Sequence, residues 1–343
     1  GASIALRTDG TVVGWGYYSY VPPGLTNVVA MASGSYLLAD GTVLVPGLVN
    51  LRTGMTNVTA ISGSLALLAD GTVASWGANL GQGDWGQANI PPGLSNVVMI
   101  AGGRFHNLAL RADGTVVGWG EWVNNPWGES SIPSGLTNVV AIAAGGNHSL
   151  ALRADGVVVG WGRNDSGQTT VPPGLSNVVM IAGGRNHNLA LRADGTVVAW
   201  GDNNWGQTNT PPGLTNALAI AALGDHSLAL VGIGGPSLIG SLPDRFVPIG
   251  GRVHFNAAAS GLRLGSYQWE FEGVPLPDAT NAVLTLTNVQ PAQAGGYSLR
   301  ITTERGTVSS RRAQLGVVPA WIKAPPTNQT RPLGGSASIA VGV

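Results

Sequence analysis

Gly145-Gly146-Asn147-His148-Ser149-Leu150-Ala151-Leu152-Arg153-Ala154-Asp155-Gly156, running on through Trp161-Gly162 to Asn164-Asp165-Ser166-Gly167-Gln168, is the stretch that decides the fold. The apolar triplet Leu150-Ala151-Leu152 ends three residues before Asp155, and Trp161 stands six residues after it. The apolar runs are too short for helices and rich in Val, Leu and Ile, so strands are favoured. Asp155-Gly156 supplies a positive-φ position for a tight hairpin, which Gly adopts without steric cost. The unit reads as strand A over 139–143, a Gly-Gly turn, strand B over 149–153, an Ala-Asp-Gly turn and strand C over 157–161.

Working outward, the same unit recurs along residues 1–231. Asp-Gly returns at 9, 40, 70, 113, 155 and 194, with spacings of 31, 30, 43, 42 and 39. Trp-Gly follows at Trp15, Trp76, Trp119, Trp161 and Trp200, and Pro46-Gly47 takes that place in the second copy. A seventh triplet, Leu228-Ala229-Leu230, has no Asp-Gly behind it. Pro-Gly-Leu-Thr/Ser-Asn turns, as at 92–96 and 173–177, lead into each strand A. A lone unit leaves both faces apolar and both edges unpaired; radial stacking covers the faces and shortens the exposed edges. The five Trp of Trp-Gly, fixed at one strand position, are expected in the core.

The segment quoted first resembles the regulator of chromosome condensation repeat, and the likeness extends over residues 1–231. It implies a seven-bladed β-propeller. The continuation Gln168-Thr169-Thr170-Val171-Pro172 is similar to the bacterial branch that includes the propeller-type β-lactamase inhibitors. Repeats of the eukaryotic chromatin branch continue Gly-Gln-Leu-Gly, so neither nucleotide exchange nor chromatin binding is implied.

Periodicity changes after Val231. A Gly/Pro-rich linker (232–243) leads to the alternating Val253-His254-Phe255-Asn256-Ala257, then Trp269, and then Tyr297 within Ala294-Gly295-Gly296-Tyr297-Ser298-Leu299. This order resembles an immunoglobulin-like sandwich over 244–317, with a core Trp and a tyrosine corner, and with Ala257 and Leu299 where paired cysteines often stand. Pro248-Ile249-Gly250-Gly251 returns as Pro332-Leu333-Gly334-Gly335, so 318–343 reads as the truncated start of a second such domain. The expected architecture is all-β: a seven-bladed β-propeller plus an immunoglobulin-like β-sandwich, with the appended sandwich acting as a spacer.

Composition narrows the function. Seventeen basic and seventeen acidic residues cancel, and no Lys/Arg run appears, which argues against a nucleic-acid partner. Cysteine is absent, which excludes disulfides and thiolate metal sites, and no apolar stretch approaches a membrane span, so membrane insertion is not expected. No nucleophile elbow, metalloprotease helix motif or phosphate loop occurs. His106, His148, His187 and His226 share one repeat position. Ligands must converge on one ion, whereas these lie on separate blades, so structural hydrogen bonds are expected and no metal or cofactor. Arg7, Arg111, Arg153 and Arg192 repeat before Ala/Thr-Asp-Gly, as a solvated hairpin end on the opposite rim.

Strand parity locates a binding face. If strand A runs up, the A–B turn and the loop after strand C share one rim, and Ala-Asp-Gly lies on the other. The loops after Trp-Gly carry Tyr17, Tyr18, Tyr20, Trp85, Trp122, Trp127 and Trp205; the A–B turns add Arg104, Phe105, Asn147, Arg185 and Asp225. Exposed aromatics beside Arg dominate interface energies. Tyr18, Trp85, Arg104, Phe105, Trp122, Trp127, Arg185 and Trp205 are therefore the candidate partner-binding residues. The expected function is non-catalytic binding or adhesion at a bacterial cell surface or outside the cell, toward a protein or a surface glycan, by a monomeric segment of a larger protein. The alternatives are a secreted enzyme inhibitor of the β-lactamase-inhibitor kind, or an accessory region of a carbohydrate-active enzyme.

Overall fold

A computed structural model describes residues 2–7, 9–16, 21–32, 34–45, 57–76, 86–120, 127–232, 237–239, 242–256, 258–260, 266–303 and 306–318. Among these the chain is all-β apart from one 3-10 turn at Pro291–Gln293. Small antiparallel sheets follow one another along residues 2–231. The fifth joins Val139–Ala144, His148–Arg153 and Val158–Gly162, and the sixth joins Val178–Gly183, His187–Arg192 and Val197–Gly201. The first sheet holds only Ala2–Leu6 and Val12–Gly16, and the last only Ala217–Leu223 and His226–Val231.

The turns form as their residues dictate. Gly156 has φ 79°, and its N–H donates to Arg153 O at 2.9 Å. In the equivalent turn Asp113 Oδ1 accepts from the Thr115 N–H at 2.9 Å and from its hydroxyl at 2.7 Å, so the carboxylate closes its own hairpin. The Asn that ends the Pro-Gly-Leu-Thr/Ser-Asn turn also takes a positive φ at Asn27, Asn96 and Asn177. Asn tolerates the left-handed region better than other residues with a side chain.

Sheets stack face to face by one rule. Leu150 and Leu152 pack against Val178, Ile181, Ala190 and Trp200 of the following sheet. Leu108 and Leu110 meet Val139, Ile142, Ala151 and Trp161 in the same way. Backbone hydrogen bonds stitch neighbours at both rims. Arg104 N–H reaches Gly146 O (3.3 Å) and Arg185 N–H reaches Gly224 O (2.7 Å) at one rim; Val97 N–H reaches Gly71 O (2.9 Å) and Val139 N–H reaches Gly114 O (3.2 Å) at the other. The A–B turns from the second sheet to the last line a single cavity of about 510 Å³, including Ser35, Gly63, Gly103, Gly145, Gly184 and Gly224. The arrangement is propeller-like.

The fixed Trp position is not uniformly core. Trp119, Trp161 and Trp200 are buried, whereas Trp76 is half-buried and Trp15 is exposed. Among the described residues no other sheet covers Trp15.

Beyond residue 236, a six-stranded sheet runs Arg245–Pro248, Ala313–Val318, Gly295–Thr303, Ser266–Phe271 and Val274–Pro275, with Gly306–Ser309 also paired to Gly295–Thr303. Val253–Asn256 pairs with Val283–Leu286 in a separate ribbon. Val253, Phe255, Trp269, Tyr297, Leu299 and Ile301 share one core. Trp269 lies opposite Leu299, and the Tyr297 hydroxyl donates to Gln293 O at 2.9 Å. Ala257 and residues 319–343 lie outside the described residues.

Two expectations need correction. Ser237–Ile239, inside the expected linker, is a strand paired with Ala258–Ser260. The C-terminal module is also docked on the Asp-Gly rim: Ala112 belongs to the Trp269 core, and Arg252 Nη1 donates to Asn138 Oδ1. A crevice of about 680 Å³ remains between that rim and residues 277–285. On the strand Val253–Asn256, Phe255 turns inward onto Tyr297, with ring centroids 5.0 Å apart, while His254 lies against Gly114 of the rim.

Candidate binding face

In the fifth and sixth sheets the loop after strand C is anchored to the A–B turn of the same sheet, which puts both on one side. The Arg163 N–H donates to Asn147 O and the Asp202 N–H to Asn186 O, both at 2.9 Å. The loop after the third sheet reaches instead to the A–B turn of the fourth, with Gln87 Nε2 donating to Arg104 O at 3.2 Å. In the fifth and sixth sheets the strand parity expected from sequence holds.

Arg104 and Arg185 are exposed and both line the 510 Å³ cavity. Arg185 Nη1 stands 4.0 Å from Asp225 Oδ2, a weak solvated pair. Trp205 is 79% exposed, on a loop braced by Asn203 Nδ2 donating to Asn209 Oδ1 (2.9 Å) and by the Trp205 N–H donating to Gln207 Oε1 (2.8 Å). Trp127 is half-buried under the Arg163 guanidinium, 4.6 Å from the ring centroid, and Arg163 in turn bonds Asp165 at 2.7 Å. Phe105 departs from expectation: it is 8% exposed, with the Arg104 guanidinium 4.8 Å over its ring. In the turn it anchors the arginine and offers a partner little surface. Asn147 is likewise buried. Tyr18, Trp85 and Trp122, with Tyr17 and Tyr20, lie outside the described residues.

Beneath the face runs a network whose carbonyls the motif reading did not single out. The Gln168 carbonyl accepts from Asn188 Nδ2 (2.7 Å) and from Trp200 Nε1 (3.1 Å) of the next sheet. Glu129 O does the same for Ser149 Oγ (2.8 Å) and Trp161 Nε1 (2.9 Å), and Gln87 O for Asn107 Nδ2 (2.9 Å) and Trp119 Nε1 (3.0 Å). The available signal was Gly-Gln or Gly-Glu at one place in four of the repeats: Gly86-Gln87, Gly128-Glu129, Gly167-Gln168 and Gly206-Gln207.

The histidines extend this network one sheet further. His106 Nε2 lies 2.8 Å from Ser149 Oγ, His148 Nε2 lies 2.6 Å from Asn188 Oδ1, and His187 Nε2 lies 2.9 Å from Ser227 Oγ. Ser149 and Ser227 spend their hydroxyl protons on Glu129 O and Gln207 O, and Asn188 spends its amide protons on Gln168 O. Each acceptor must then receive the imidazole proton, which assigns the neutral Nε2–H tautomer to all three rings. Burial pushes the His106 pKa down to about 3 and His148 to about 4, and lowers His187 as well. These rings are latches between sheets. Among the described residues no group of three or more His, Asp or Glu is placed to hold a metal ion.

The regulator of chromosome condensation (RCC1) repeat model matches residues 97–125, 139–168 and 178–207, so the chain carries RCC1 repeats. No curated protein matches the chain. The solved ectodomain of the Physcomitrella patens receptor kinase CR4 is similar at 16% identity, covering 75% of this chain and 70% of that one, with a TM-score of 0.48. Titin M4, trigonal form, aligns at 22% identity with 25% of this chain and 97% of that one, with a TM-score of 0.23. The N-terminal Ig1-2 module of the Drosophila receptor protein tyrosine phosphatase DLAR aligns at 16% identity, covering 38% and 61%, with a TM-score of 0.24.

Proposed function

We infer that the chain is a non-catalytic binding protein of the bacterial cell surface or exterior, a seven-bladed propeller carrying an immunoglobulin-like sandwich, which recognises a protein or surface glycan through one loop face. The observation that carries this reading is the convergence of two loop sets on one side, with Trp205, Arg104 and Arg185 exposed there. A large aromatic held open by side-chain bonds within its own loop costs little entropy to bury, which suits an interface anchor. The inhibitor alternative rests on the likeness of the repeat ending at 168–172 to the inhibitor-bearing branch.

The test presents the purified chain to a glycan array and to a panel of serine β-lactamases. Saturable binding to one ligand is expected, weakened about tenfold or more by Trp205→Ala with Arg104→Ala, since a central anchor contributes roughly 2 kcal/mol. Thermal stability should fall only slightly, by the roughly 0.5–1 kcal/mol of the Arg104 contact over Phe105, since Trp205 is exposed. Binding to a β-lactamase alone would favour the inhibitor reading. Binding that ignores both substitutions, or no binding to either set, would overturn this face as the site.

A further inference from the structure

The crevice between the Asp-Gly rim and the C-terminal module gathers polar groups that the fold leaves without partners. Two apolar contacts hold its walls together: Ala112 joins the Trp269 core, and Val283 packs against the Leu150/Leu152 cluster of the fifth and sixth sheets. The space of about 680 Å³ is lined on the rim side by Arg153, Asp155 and Asn177, and on the module side by Asn256, Tyr267, Asp278 and Asn281. The Tyr267 ring packs against the core of its own module, while its hydroxyl is buried with no hydrogen-bond partner. Burial pushes the Tyr267 pKa up to about 12, so the group keeps its proton as a donor. On the rim side Arg153 Nη2 pairs with Asp155 Oδ2 at 2.9 Å, and Arg153 Nε is buried unpaired. Folded proteins match nearly all buried donors, so two unmatched ones on the walls of one cavity call for a role.

We propose that this crevice binds a short neutral saccharide, with Tyr267 and Arg153 donating to its hydroxyl groups. The charge of the lining sets the class. Arg153 and Asp155 neutralise each other, and Asp278 is left as an unmatched carboxylate, which disfavours a phosphate or an acidic ligand. A divalent cation needs more carboxylates than that, and among the described residues no group of three or more His, Asp or Glu gathers here. The rest of the lining mixes Asn and Thr with apolar surface from Val140, Val179, Ala193 and Ala282. A sugar ring meets both at once, because its hydroxyls donate and accept while its C–H faces cover apolar groups. A purely apolar ligand would leave the buried donors unpaired. An extended peptide asks for an open strand edge, whereas the polar residues here stand on two facing walls. The volume suits roughly two or three sugar rings. The crevice is on the other side of the ring from the loop face, so either site can fail without the other.

Isothermal titration of the whole chain with maltotriose, cellotriose, mannotriose and acetylated chitotriose, and with trigalacturonate as an anionic counterpart, tests the proposal. Saturable binding of at least one neutral trisaccharide is expected, with a raised melting temperature at saturation. Tyr267→Phe removes only a hydroxyl that has no partner in the protein, so the melting temperature without sugar should be kept. Its affinity for the sugar should fall about fivefold to tenfold, the loss of one hydrogen bond. Ala282→Trp, which fills the crevice from the module side, should abolish binding, and Trp205→Ala with Arg104→Ala should leave it unchanged. The proposal is overturned if no neutral trisaccharide binds, or if only trigalacturonate does. It is equally overturned by an affinity that Tyr267→Phe leaves intact, or by one lost in the loop-face pair. Tyr267-dependent peptides selected from a displayed library, with every trisaccharide failing, would assign the crevice to a peptide instead.

Discussion

Ser149 shows how much a single hydroxyl holds in this fold. Its oxygen donates to Glu129 O and accepts the Nε2 proton of His106, both at 2.8 Å, joining two sheets and a loop. Ser149→Ala leaves Glu129 O still bonded by Trp161 Nε1, but strands a buried imidazole N–H. A loss of about 1–3 kcal/mol is expected from that stranded donor. His106→Phe removes the donor as well, so the double substitution should cost less than the sum of its parts by about 1 kcal/mol or more. Urea unfolding of the four proteins measures this, and strictly additive losses would show that the two residues are not coupled. The glycine three residues before each of these histidines belongs to the same design. A Cβ on Gly103, Gly145 or Gly184 would run into the imidazole that follows it. The Gly-Gly pair is therefore needed for the ring as much as for the turn.

At the scale of the elements, the three latches join four consecutive sheets and make their cohesion depend on pH. The folded pKa values of His106 and His148, about 3 and about 4, lie below the ordinary value near 6.5. Above that value neither state binds the proton, and the latches contribute fully. As pH falls below it, the unfolded chain takes up protons that the buried rings refuse, so stability declines by up to about 1.4 kcal/mol per pH unit for each ring. Denaturation midpoints should therefore be level from pH 8 to about 7 and fall steeply toward the folded pKa values near 4. His148→Gln should give a shallower fall, and midpoints unchanged down to pH 5 would contradict the burial of these rings. The strands and the Asp-Gly hairpins were legible in sequence, because period and turn chemistry are local properties. The shared rim was legible too, since it follows from counting strands. The burial of Phe105 was not, because a turn residue is covered by its own neighbour Arg104 in a way no spacing announces. Nor was the exposure of Trp15, because a fixed repeat position does not say which neighbouring side chains cover it.

At the scale of the whole molecule, the docking of the C-terminal module was the feature least legible in the sequence, because the residues that make it serve other roles locally. Ala112 reads as part of a hairpin and Asn138 as the end of a turn, yet Ala112 joins the Trp269 core and Asn138 holds Arg252. His254 sits against Gly114, so close that a Cβ there would approach its Nε2 to 3.2 Å, while its Nδ1 lies 2.9 Å from Thr285 Oγ1. A glycine in that turn thus gives both a positive φ of 81° and clearance for the neighbouring module. Burial, with Arg252 and Arg245 nearby, lowers the His254 pKa against the pull of Asp113, which keeps the ring neutral at the interface. An interface that shares a core transmits unfolding from one side to the other, so the described residues should melt in one calorimetric transition. Ala112→Glu places a carboxylate in that apolar contact, and a charge buried without a partner costs several kcal/mol unless the surfaces part. Parting is the easier response, since each module retains its own strands. The expected result is two transitions, the lower one reporting whichever module relied more on the other. Two transitions already present in the unsubstituted chain would mean that the modules touch without stabilising each other, and that the C-terminal module is a spacer after all.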